Sequence, residues 1–270
     1  MATAPPTVSR ELNKATARVL EVLTSFAKDV PGYGVTELSQ LLGMTKNMTY
    51  RALTTLVEQG YLMRDPESAR YQLGYRILEL QSPHSIEPDF RTLCGPYLKR
   101  MHALTGESVS LAVRALDYCV LIDGIETRKP GVWRVRIGDV LPLFGPASGR
   151  LMLAFASDEE VEDYIARNRP LCYPRTGETF SPDEMRRQLA TIRAQGYARV
   201  VRPAPSPMVS LSFPVRDLDG GLHGVISVGG PPERSRTELD AHMAELLALV
   251  DELNGRSRLF SANAAGSELY

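Results

Sequence analysis

Apolar residues recur at helical spacing near the start of the chain. Leu12, Ala15, Val19, Val22, Leu23 and Phe26 predict an amphipathic helix over residues 12–30. Pro31-Gly32 and Gly34 interrupt the pattern. Thr36 can cap a short second helix from Glu37 to Leu42, which Gly43 ends. A third helix follows Met44 and Thr45, runs to Gln59 and stops at Gly60. Residues 61–64 and 70–73, parted by Asp65-Pro66-Glu67-Ser68, then read as a β-hairpin. Long helix, short helix, third helix and hairpin make a winged helix-turn-helix over residues 10–73.

Residues 74–80 predict a connecting helix, and the proline-bracketed segment 82–88 is the expected domain boundary, so 74–88 form the linker. Beyond it, Phe90, Leu93, Cys94, Tyr97, Leu98, Met101 and Leu104 line one face of a helix. Strands are expected at 108–114, 118–125, 133–137, 198–201, 209–215 and 224–228. Helices are expected at 146–155, 158–167 and 182–195, with a long last helix starting near Thr237. Short strands and a tight turn at Asp219-Gly220-Gly221 suggest a mostly antiparallel sheet flanked by helices. Residues 89–256 thus form a second, α+β domain. Alternation places Trp133 with Val135 and Ile137 toward a core or pocket, and turns Arg134 and Arg136 to solvent.

Charge narrows the reading of the third helix. The whole chain carries a formal net charge of -1, which excludes a general polyanion binder and leaves only a local patch. On a helical wheel Lys46, Asn47, Tyr50, Arg51, Thr54 and Glu58 share an arc of roughly 140°. Thr49, Ala52, Leu53 and Leu56 fall opposite. Arg51 suits guanine and Asn47 adenine, while Lys46 and the first-turn amides suit phosphate. The expected contacts with double-stranded DNA are Thr45, Lys46, Asn47, Thr49, Tyr50, Arg51 and Thr54, with Arg64 and Arg70 flanking the wing. Residues 10–82 hold nine basic and eight acidic side chains, a thin local excess of one. A second copy would double the phosphate contacts, so a homodimer is expected.

Other chemistry is poorly supported. Gly145-Pro146-Ala147-Ser148-Gly149 sets its serine one place late for a nucleophile elbow. His84, His102, His223 and His242 lack metal-binding spacing, and Cys94, Cys119 and Cys172 lack C-x-x-C spacing. No catalytic residue, cofactor or metal is expected. Asn47-Met48-Thr49 matches a glycosylation sequon but lies on the third helix. No apolar run is long enough to span a membrane. Residues 1–9 read as a disordered tail rather than a secretion signal, so the expected location is the cytoplasm.

Leu38, Leu42-Gly43, Lys46, Tyr50-Arg51, Leu53, Leu56, Gly60-Tyr61-Leu62, Arg64-Asp65 and Tyr71-Gln72-Leu73-Gly74 stand in the order of a known signature. In these residues the chain resembles the IclR (isocitrate lyase regulator) family of bacterial transcription factors. It departs at Asn47 and Met48, where the family often has Ser-Thr. The resemblance continues through Gly138-Asp139-Val140-Leu141-Pro142, Ala147-Ser148-Gly149-Arg150 and Val225-Ile226-Ser227-Val228-Gly229-Gly230-Pro231. It implies a GAF-like effector-binding domain and dimers paired into tetramers. It also implies ligand-responsive control of a catabolic operon. A sensor without DNA binding, or a small-molecule enzyme, is the alternative.

The resemblance puts the effector between the sheet and the helix that begins at Ala147-Ser148-Gly149. Gly145 is the expected N-cap and Pro146 the first helical residue, leaving the amides of Ala147 and Ser148 for a carboxylate. Ser210 falls where relatives often carry a cysteine that touches effector, and Ser227 and Gly229 where they often carry serines. The family's acidic residue is absent from the loop Arg202-Pro203-Ala204-Pro205-Ser206-Pro207. Trp133, Leu143, Phe144 and Met208, with Phe213, supply apolar surface, and Ser212 completes the expected set. An organic acid, aromatic or otherwise hydrophobic, is the expected ligand.

Overall fold

A computed structural model describes residues 13–27, 30–80, 88–130, 134–172, 179–202, 207–217 and 220–264, the side chains of 88–89 and 257–264 excepted. The chain divides at Pro88 into two compact units.

In the first unit, helix α1 spans Lys14–Ser25. Asn13 caps it, its side-chain oxygen accepting from the amides of Ala15 and Thr16. The helix is shorter than the predicted 12–30, because Phe26 turns back as its C-cap. Helix α2 spans Val35–Leu41, with Gly34 rather than Thr36 as N-cap. The Gly34 amide donates to Glu37 Oε2 at 3.4 Å, closing the first turn from inside the helix. Helix α3 spans Lys46–Glu58 and ends where Gly60 takes φ +76°. Strands β1 (Leu62–Arg64) and β2 (Tyr71–Leu73) pair antiparallel as the wing. At its tip Asp65 accepts from the Ser68 hydroxyl and the Glu67 amide, bonds that hold its carboxyl below the usual range. Val22, Phe26, Leu38, Leu53, Leu56, Leu62 and Tyr71 close one core beneath α3 and the wing. Where a connecting helix is predicted over 74–80, only helix α4, Ile77–Leu80, forms.

The second unit opens with α5, Pro88–Thr105. Strands β3 (Ser108–Ala115), β4 (Tyr118–Ile125) and β5 (Val140–Pro142) follow. Helices α6 (Ala147–Ala154) and α7 (Asp158–Arg167) lead to a two-stranded ribbon, β6 (Leu171–Cys172) with β7 (Thr179–Phe180). Helix α8 (Pro182–Gln195) precedes β8 (Ala198–Arg202), β9 (Met208–Arg216) and β10 (Leu222–Gly230). Helices α9 (Pro232–Ala241) and α10 (Met243–Ala264) complete the unit. Six strands form one antiparallel sheet in the order β5-β4-β3-β10-β9-β8. The fold is α+β.

Period-two alternation divides the core. Val209, Leu211, Phe213 and Val215 of β9 face α5, α9 and α10. The intervening residues of β9 face the layer of α6, α7 and α8, packed around Leu151, Met152, Tyr164 and Leu189. Burial on the first face pushes the Cys94 thiol up to about 12, and on the second raises Cys119 as well, so neither is a thiolate near neutral pH.

Three expectations fail in the second unit. Residues 134–137 form no strand: Ile137 is 62% exposed, and β5 begins at Val140 instead. Trp133 lies outside the described residues. The last helix is two helices, since α9 runs Pro232–Ala241, His242 caps it, and α10 starts at Met243. The third failure, the cap of α6, concerns the site below.

Gly149 seats α6. A Cβ added there would stand 2.6 Å from Leu143 Cα, and Gly149 is followed by Arg150, which also bonds that loop. Gly149→Ala is therefore expected to cost about 1–3 kcal/mol through overpacking. Urea unfolding of the full chain checks this; an unchanged midpoint would show that the loop yields freely.

Candidate nucleic-acid interface and effector cavity

The first site is the outer face of α3. Thr45 caps the helix, its hydroxyl accepting from the Met48 amide at 3.3 Å. Lys46, Asn47, Tyr50 and Arg51 are exposed, and Thr54 is half-buried beside them. Among the described residues, the side chains of Lys46 and Arg51 bond no other group of the protein. Two expected contacts are corrected. Thr49 is fully buried and donates to the Thr45 carbonyl at 3.1 Å, because the wheel turns it inward with Leu53. Arg70 is committed to the fold: its Nη2 donates to the Gly32 carbonyl at 2.6 Å and to Glu37 Oε2 at 2.7 Å. Arg64 stays exposed at the wing, over the Tyr71 ring. Sequence reasoning missed Arg18 of α1, whose Nη1 lies 3.9 Å from Met48 Sδ and adds a cation beside the start of α3.

The second site lies in the C-terminal unit. A cavity of about 140 Å³ is enclosed by the Gly145-Pro146 turn, Arg150 of α6, Phe180 of β7, Gln188 of α8, and strands β8 and β9. Of the expected effector residues, Gly145, Pro146, Met208 and Ser210 line it. The others do not. Leu143 is wholly buried in the core, and the Phe144 amide donates to the Tyr164 hydroxyl at 3.1 Å. Ser148 Oγ lies 3.5 Å from Cys119 Sγ, and Ser212 Oγ bonds Ser227 Oγ at 2.7 Å. Gly229 pairs with Ser210, and a Cβ there would meet the Ser210 side chain at 3.1 Å. Ala147 is buried one residue into α6. The N-cap is Pro146, not Gly145, because Pro146 is extended at φ -72°, ψ 163° and the helix begins only at Ala147.

Arg150, Phe180, Gln188, Val200, Val201 and Arg202 complete the lining and were not foreseen. Only Arg150, directly after Ala147-Ser148-Gly149, carried a sequence signal. It is 6% exposed. Its Nε donates to the Phe144 carbonyl at 2.9 Å, its Nη1 to Gln188 Oε1 at 2.5 Å, and its guanidinium stacks 4.7 Å over the Phe180 ring. Ser210 Oγ is buried and, among the described residues, bonds no protein atom. Apolar walls from Phe180, Val200 and Met208 thus surround a few hydrogen-bonding groups, the usual make-up of a small-molecule site. The volume is near that of a cavity that admits benzene, about 150 Å³, so it suits one ring.

Comparison with known proteins adds three findings. The family described as "Bacterial transcriptional regulator IclR C-terminal" matches residues 87–254, and the IclR helix-turn-helix domain matches residues 15–66. Among curated relatives, the regulator KdgR of Dickeya chrysanthemi is 29% identical over 203 residues, 74% of this chain and 66% of that one. The transcriptional repressor IclR of Escherichia coli is 25% identical over 236 residues, 87% of this chain and 85% of that one. Among solved structures, an IclR family regulator from Brucella abortus superposes with a TM-score of 0.74 at 26% identity, covering 92% of this chain and 94% of that one. An IclR homologue from Microbacterium hydrocarbonoxydans, complexed with 4-hydroxybenzoate, superposes with a TM-score of 0.69 at 21% identity, covering 90% of this chain and all of that one.

Proposed function

The chain belongs to the IclR family of bacterial transcriptional regulators, and from that premise we propose that it is a ligand-responsive switch on operator DNA. Two copies place their α3 helices in successive major grooves of a pseudo-palindromic operator, and two such dimers pair. Lys46, Asn47, Tyr50, Arg51 and Thr54 meet the DNA, with Arg64 reaching it from the wing. A single-ring carboxylic acid enters the cavity beside α6 and changes operator affinity through residues 74–88. The regulated genes belong to a catabolic operon, and the protein works in the cytoplasm.

The observation that carries this reading is the exposed row Lys46, Asn47, Tyr50 and Arg51 on a capped helix, two of whose cations have no bonding partner in the described protein. The cavity supports the ligand half, and so does the complex of the Microbacterium homologue with 4-hydroxybenzoate. Calorimetric titration of the full chain with 4-hydroxybenzoate and with two-carbon acids is expected to show binding of the aromatic acid. Binding of the small acids alone would sink the aromatic reading. Gel shift of the chain's own upstream fragment tests the DNA half, and no shift would leave a sensor without DNA binding. Linkage requires operator DNA to change ligand affinity by the same factor that ligand changes operator affinity.

A further inference from the structure

We propose that Arg18 of α1 grips the DNA backbone on the bank of the major groove opposite Lys46, so that a cation on each strand centres α3. The assignment rests on the DNA-binding reading above and adds to it a residue from outside the recognition helix.

Helical geometry places the two cations. Lys46 and Met48 are two residues apart, so at roughly 100° per residue they stand on opposite edges of the outer face of α3, with Asn47 between them. Lys46 is exposed on one edge. Arg18 comes to the other, where its Nη1 donates to Met48 Sδ at 3.9 Å. Val19, Val22 and Phe26 of α1 share a core with Leu53 and Leu56 of α3, which fixes one helix against the other. Arg18 lies one turn before Val22, at the border of that apolar stripe. Its stem therefore runs along the edge of the core while its guanidinium emerges beside the first turn of α3. Lys14, four residues earlier and exposed, extends the same flank of α1. A helix with its side chains is about 10–12 Å across and the major groove about 12 Å wide, so cations on opposite edges of α3 meet opposite strands.

Charge supplies the second observation. Two other arginines of this unit are spent on carboxylates, Arg70 on Glu37 and Arg76 on Glu79. Arg18 has Glu21 three residues on, within reach of an ion pair. It turns instead to the uncharged Met48 and, among the described residues, bonds nothing else. The first turn of α3 holds no acidic residue, and Glu58 at the far end is the only acid of the helix. Arg18, Lys46 and Arg51 thus stand around the start of α3 with no carboxylate of that helix near them. Cations gathered in this way repel one another in the free protein and are complemented by phosphate, whose oxygens suit the arginine fork. Phosphate contacts on both strands fix the register of α3 without reading sequence, which leaves Asn47 and Arg51 to the bases. Met48 stands where the family often has threonine, so the Arg18–Met48 contact is a feature of this chain.

The test is filter binding of the full chain across a salt series, with its own upstream fragment and with a scrambled duplex of equal length. Arg18→Ala is expected to weaken binding to both duplexes alike, by about fivefold per copy near physiological salt, and to lower the salt slope by about one per copy. Arg18→Lys keeps the slope, because the charge is retained. Thermal unfolding is expected to show each variant as stable as the unaltered chain, since Arg18 is exposed, and gel filtration to show the same assembly. An unchanged slope in Arg18→Ala overturns the assignment alone. So does a loss confined to the upstream fragment, which would make Arg18 a base reader. A loss that accompanies altered assembly also overturns it, by placing Arg18 between copies. Binding of neither duplex by the unaltered protein overturns the DNA-binding reading and the assignment together.

Discussion

Arg234→Ala is expected to destabilise the C-terminal unit by about 3–5 kcal/mol, because it strands a buried carboxylate. Glu107 is wholly buried where α5 turns into β3. Its carboxylate accepts from Arg234 Nε at 2.5 Å and Nη2 at 3.0 Å. Lys129 Nζ stays at 4.0 Å and is already shared with the Thr105 carbonyl at 3.5 Å. The packing leaves no room for relaxation, since a Cβ on Gly230 would stand 2.7 Å from Glu107 Cδ. Arg234 also donates to the Pro130 carbonyl at 2.5 Å, joining α9 to the segment after β4. Urea unfolding of the full chain measures the loss. The double replacement Glu107→Leu with Arg234→Met is expected to recover most of it, because no charge then remains to be stranded. A loss under about 1 kcal/mol in the single variant would mean that Lys129 or water takes over the carboxylate.

Arg51→Ala is expected to lower operator affinity by about 10- to 100-fold, or ~1–3 kcal/mol, and to relax preference at one base pair. The side chain is exposed one turn into α3, on the same face as Asn47, and bonds nothing else in the described protein. Lys46→Ala should differ in kind. Removing a phosphate-binding cation there weakens all sequences alike and lowers the salt slope by about one. Filter binding across a salt series, against operator and scrambled duplex, separates the two. An operator preference that survives Arg51→Ala would remove Arg51 from base reading.

Both variants probe features that differ in how plainly they stand in the chain. Arg51 was legible, since a helical wheel needs only local spacing, and the same wheel turns Thr49 inward. Placing Thr49 against DNA runs counter to that wheel, and its burial and bond to Thr45 decide the matter. Arg70 reads as a wing cation until Gly32 and Glu37 are seen around it. Helices α7 and α8 begin and end where their apolar period and Ser caps place them. Over the described residues 134–137 the expected strand fails because alternation over five residues arises readily by chance, and pairing with β4 goes instead to Val140–Pro142.

The sequence by itself determined the order and kind of most of the elements, the winged domain and the exposed face of α3. Those rest on periods of 3.6 and 2 residues and on caps, all set by near neighbours along the chain. Only the tertiary structure decided the cavity. Its walls come from the turn before α6, from β7, α8, β8 and β9, segments up to 65 positions apart between Gly145 and Ser210. Whether a serine there is spent on a neighbour, as Ser212 is on Ser227, or left to face the cavity, as Ser210 is, follows from sheet register and packing. Identical residue types take opposite roles because burial and hydrogen-bond partners belong to contacts across the fold, which spacing along the chain does not encode.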